Sequence, residues 1–150
     1  MRVFKALGNG LVGASVLTLV HETARHYLPE APRMDVLGMR AIARVMRDAR
    51  LEPPEQDTLH TVTLAGDIVS NALYYSLLGL GSRQGVWRRG ILLGLTAGIG
   101  ALVLPGPLGL GTAPSNRTNA TRAMTVAWYT AGALAAAAAY LRLTSSEASE

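Results

Sequence analysis

A chain of 150 residues that is 49% hydrophobic and only 16% charged makes one domain, with too few charges for an ordinary soluble surface. It has no cysteine, which excludes a disulfide framework and a thiolate metal site. Its net charge of +4 comes from arginines in short segments that flank apolar blocks, the pattern of membrane topology and not of a nucleic-acid surface.

Charges avoid residues 6–20, 91–104 and 123–141, and enter a fourth apolar block, 61–80, only at Asp67. A spanning helix needs ~17–25 residues. The first block reaches that length by running on to about Arg25, and the third by starting near Trp87. The expected fold is therefore an all-α integral membrane four-helix bundle, a single domain. Its spans fall at about 5–27, 59–80, 87–104 and 122–142, with a short amphipathic interfacial helix at about 35–50 in the first loop and a loose polar tail over 144–150.

The basic start and first apolar run mimic a secretory signal. His21, Glu22, Thr23, Ala24 and Arg25 then follow, a poor cleavage site, so the helix is read as uncleaved. Ala6, Gly10, Ala14 and Thr18 recur every four residues and form a ridge that another helix backbone can approach closely. In the loop, Arg33, Arg40, Arg44 and Arg47 share one helical face, opposite Met34, Met39, Ala41, Ile42, Val45, Met46 and Ala49. Such a helix lies in the membrane interface and either binds anionic lipid or an acidic partner, or simply docks with its arginines solvated.

The second spanning segment places His60, Thr63, Asp67, Ser70, Asn71 and Tyr74 along one stripe. Lipid cannot satisfy a carboxylate, so that stripe must face protein or a wet cavity. The third segment carries Gly90, Gly94 and Gly98, a doubled GxxxG that marks close helix packing, within the chain, with a second copy or with a membrane partner protein. Pro105 and Pro107 end it, and Gly109 and Gly111 form no phosphate loop because neither a strand nor a lysine flanks them. Asn116 and Asn119 match glycosylation sequons but, in a bacterial protein, read as a polar loop and helix cap. The last helix is mostly alanine after Gly132 and must be packed on by neighbours.

No catalytic residue, metal site or cofactor is expected. His21-Glu22 opens like a zinc-protease HExxH, but Arg25 holds the second histidine's place and His26 lies ~140° around the helix. A hairpin of the first two spans, rising ~1.5 Å per residue, sets Arg25 near Thr63 and His21–Glu22 near Asp67. The candidate site is thus a polar network of His21, Glu22, Arg25, His60, Asp67 and Asn71. It serves either as a clamp on helix register or as a proton, cation or small-molecule site.

The leading expectation is a small multi-pass membrane protein, not an enzyme, that acts by helix association or as part of a membrane complex. The alternatives are a small transporter or proton-coupled permease, and third a lipid-modifying membrane enzyme. The partners expected are the lipid bilayer, anionic lipid, and a second copy or membrane protein, with no nucleic acid. An arginine-rich composition with one lysine points to a bacterial plasma membrane. The loop charges are nearly balanced, and the acid-free Arg83–Arg89 loop tips the reading to both termini cytoplasmic.

Overall fold

Proline and glycine punctuate the chain, and the helices fall between them. The structure, a computed structural model, describes residues 2–145. It contains α1 (Arg2–Tyr27), α2 (Met34–Asp48), α3 (Gln56–Ser76), α4 (Val86–Val103), the single turn α5 (Ala113–Asn116) and α6 (Asn119–Ser145). Two short 3-10 turns, Leu77–Leu80 and Arg83–Gly85, join α3 to α4. The chain is 82% helical, with no strand among the described residues. Pro29 and Pro32 separate α1 from α2, while Arg50, at φ 60°, and the Pro53-Pro54 pair separate α2 from α3. The Thr118 hydroxyl caps α6 by accepting the Thr121 backbone N–H at 3.0 Å. Thr144 and Ser145, expected in the loose tail, belong to α6. The rest of that tail lies outside the described residues.

The long helices stand in the order α3, α1, α6, α4, each packed on the next, and α2 crosses one end of α3. Small residues set this order because only they let backbones meet. A Cβ at Gly10 would overlap the Ala72 carbonyl of α3, and one at Gly13 would lie 2.6 Å from the Gly132 carbonyl of α6. Gly79 receives Ala6 in the same way, and Ala14 is fully buried. The Gly90, Gly94 and Gly98 ridge rests on α6 at Ala137, Thr130 and Val126. Both small-residue ridges are therefore filled from within the chain.

The core is built around Leu17, Tyr75, Leu78, Val86, Tyr129 and the alanines Ala133, Ala136 and Ala137, with the Tyr75 hydroxyl donating to the Tyr129 carbonyl at 2.9 Å. Bulky apolar side chains point the other way: Leu19, Val69, Leu73, Leu92, Ile99 and Val103 are all exposed.

Two helical segments, Arg83–Val103 and Asn119–Thr144, are long and apolar enough to cross a membrane. Four spans are expected from sequence, and these two meet the requirement by composition. At ~1.5 Å per residue, α1 and α3 have the length. They fall short in apolar content because Lys5, Asn9, His21, Glu22 and Arg25 interrupt one, and Asp57, His60, Asp67 and Asn71 the other.

Candidate functional site

Asp35 pins α2 to α1. Its side chain is 5% exposed and receives a two-pronged bond from Arg33, Nε to Oδ1 at 2.9 Å and the terminal nitrogen to Oδ2 at 2.7 Å. Arg25 reaches the same carboxylate at 3.5 Å while holding Glu22 at 2.8 Å, one turn back on α1. Burial pushes the Asp35 carboxyl up. The hydrogen bond and charge of Arg33, the Val36 N–H and the charge of Arg25 together outweigh it and hold the group below its ordinary value.

The opposite side of α2 docks on the 104–111 turn. Arg40 and Arg44 donate to the carbonyls of Leu110 and Leu108 at 2.8 and 2.7 Å. Gly109 and Gly111, at φ 65° and 79°, take the left-handed backbone that aims those carbonyls at the guanidiniums, and a Cβ at Gly109 would overlap Arg44. Of the four arginines expected to face anionic lipid, Arg33, Arg40 and Arg44 thus bind the chain itself. Among the described residues only Arg47 has no such partner.

Beneath α2 lies a cavity of about 290 Å³. Helix α1 contributes Thr18, His21 and Glu22, α2 contributes Met34, Asp35, Gly38, Ala41 and Ile42, and α3 contributes His60, Thr63, Leu64, Gly66, Asp67 and Ser70. Asp67 accepts hydrogen bonds from Thr18 at 3.3 Å and from the Asn71 amide at 2.9 Å. No arginine, lysine or histidine pairs with it among the described residues. Three further polar atoms, His21 Nε2, His60 Nε2 and Thr63 Oγ1, are buried and make no hydrogen bond within the protein. The His21 ring stands edge-on to Trp128 and Tyr129 of α6, 5.3 and 5.7 Å away.

The predicted network is therefore present as neighbours but divided in its bonding. Glu22 and Arg25 pair with each other, Asp67 pairs with Asn71, and His21 and His60 stand apart. Neither Arg25 nor His60 pairs with Asp67. The hairpin forms about one turn out of the expected register, with Thr18 against Asp67, Gly10 against Ala72 and Ala6 against Gly79, and Asp35, from outside the hairpin, takes the Arg25 guanidinium with Glu22. Asp35 is missed as a site residue because it lies outside the two spans that the hairpin aligns. Thr18 is missed as a partner because its spacing reads as packing ridge.

A second, wider cleft of about 560 Å³ opens between α3 and α4. It shares Met34, Gly38, Ala41, Asp67 and Ser70 with the cavity, so Asp67 stands where the two meet. Here α3 and α4 scarcely touch, and the Tyr74 hydroxyl bridges them by donating to the Leu93 carbonyl at 3.0 Å. No three His, Asp or Glu side chains among the described residues come together as metal ligands. Comparison with protein-family models, curated proteins and solved structures finds no match to this chain.

Proposed function

We propose that this is a multi-pass membrane protein, with α1, α3, α4 and α6 all crossing the bilayer and α2 at its surface, that binds and passes a small molecule through the cavity between α1, α2 and α3. One observation carries the reading: the carboxylate of Asp67 lines a largely apolar cavity between three helices and, among the described residues, no cation pairs with it. A few polar groups converging on an apolar cavity are the mark of a ligand site.

The spanning arrangement rests on packing. Helix α1 lies between α3 and α6, so if α6 spans, α1 shares its depth and shields the polar stripe of α3 from lipid. The outward Leu, Ile and Val side chains on α3 and α4 suit hydrocarbon. Association through small-residue faces is less favoured, since α3 and α6 already occupy them. The bacterial plasma membrane, with both termini cytoplasmic, remains the location the loop charges and composition favour.

Because the chain has no cysteine, single cysteines report without background. Ser70→Cys, on the wall of both cavities, is expected to react with a small water-soluble thiol reagent in membrane vesicles. Val69→Cys, its outward neighbour at 58% exposure, should react at least ~10-fold more slowly, because a thiolate does not form in hydrocarbon. Equal rates at both positions would place α3 in water, and two inert cysteines would mean a closed, dry cavity.

A further inference from the structure

We propose that the molecule held in this cavity is a small organic ammonium ion, a protonated amine on a short apolar body, with Asp67 as its counter-ion and its route leading through the α3–α4 cleft. The inference rests on reading the cavity as a ligand site and names the class of ligand.

Charge is the first argument. Three carboxylates line the cavity. Glu22 is matched by Arg25, and Asp35 by Arg33 with Arg25 behind it, while Asp67 is matched by nothing. An ionised Asp67 leaves the cavity one negative charge in excess, which a monocation cancels and an anion or neutral molecule does not.

Hydrogen-bond polarity is the second. The group that the cavity offers a ligand is the Asp67 carboxylate, an acceptor when ionised. Asp67 has received two donors and keeps further lone pairs. No guanidinium or lysine ammonium lines the cavity. The remaining lone pairs of Asp67 fit a donor-only headgroup, and an ammonium carries up to three N–H donors and no acceptor.

Size and texture favour an organic cation. Among the described residues no trio of His, Asp and Glu converges to hold a metal ion. Met34, Ala41, Ile42 and Leu64 make the remaining wall apolar, suited to a hydrocarbon body. A volume of about 290 Å³ sits at the bottom of the ~300–1,000 Å³ range of ligand sites, so the body is small. The neighbouring cleft, walled by Ala97, Ala101 and Leu104, reaches Asp67 from the side and admits such an amphipathic cation.

The test uses the full chain purified in detergent with three probes of one shape: cyclohexylammonium, cyclohexanol and cyclohexanecarboxylate. Cyclohexylammonium is expected to raise the thermal midpoint and, at ten times its Kd, to slow labelling of Ser70→Cys about tenfold. The alcohol and the carboxylate should do neither, and Asp67→Asn should abolish the ammonium effect. The proposal is overturned if the three probes act alike, if the carboxylate acts best, or if Asp67→Asn responds like wild type. A reactive Ser70→Cys that no probe protects rejects the ammonium while leaving the wet cavity standing. An inert Ser70→Cys rejects the ligand site itself.

Discussion

Gly94→Leu is expected to abolish the folded protein, not merely weaken it. A Cβ at Gly94 would lie 2.4 Å from the Thr130 Cα of α6 and 3.1 Å from its backbone nitrogen, so no side-chain rotation makes room. Overpacking a core costs ~1–3 kcal/mol where side chains can yield, and a clash with backbone exceeds that. Alanine alone should be disruptive here, although alanine is ordinarily mild on such ridges. The effect should grade along the helix. Gly98→Ala, at 2.7 Å from the Val126 Cα, comes next, and Gly90→Ala, 3.3 Å from the Ala137 Cβ, is the most tolerated. Thermal unfolding and size-exclusion in detergent would follow the series. A wild-type midpoint for Gly94→Leu would show that α4 does not pack on α6 as described.

The second large effect belongs to Asp35. Asp35→Ala leaves the Arg33 fork unpaired and Arg25 with Glu22 alone. Breaking a fully buried pair costs ~3–5 kcal/mol; with Arg33 42% exposed, solvent screening brings this to about 2 kcal/mol. The same carboxylate sets a pH dependence. Its folded value lies below the ordinary one, so its contribution is complete above the unfolded value of ~3.9 and is lost as pH falls through the folded value. The difference in midpoint between wild type and Asp35→Asn should be constant near neutrality and shrink below about pH 4. A difference that grows on acidification would mean that Asp35 is not held ionised by its arginines.

Both effects bear on how much the sequence shows. The small-residue ridges are legible because spacing along one helix is a local property, and Gly90, Gly94 and Gly98 do line one packed face. Their partner is not legible, because Thr130 and Val126 carry no mark that singles them out. The need of Asp67 for protein or a wet cavity also follows from sequence, since a carboxylate in an apolar block has few refuges. Its lack of a cation does not. Arg25 lies two turns beyond Thr18, which meets Asp67, and it pairs instead with Glu22 and with Asp35 of α2, a residue outside the hairpin. The arginines of α2 are read from charge alone, while the backbone carbonyls of Leu108 and Leu110 that receive two of them leave no trace in a side-chain pattern. The cavity is likewise invisible beforehand, being the space three helices leave between them.

The proposed ligand role makes Asp67 dispensable to the fold, and the midpoint of ligand-free Asp67→Leu against wild type measures this most directly. The substitution forfeits two hydrogen bonds, from Thr18 and Asn71, at ~1 kcal/mol each. It also removes an unpaired carboxylate whose insertion costs ~2.5–3.5 kcal/mol, and it orphans no arginine. The expected result is a midpoint equal to or above that of wild type, and a fall as large as that of Asp35→Ala would contradict it.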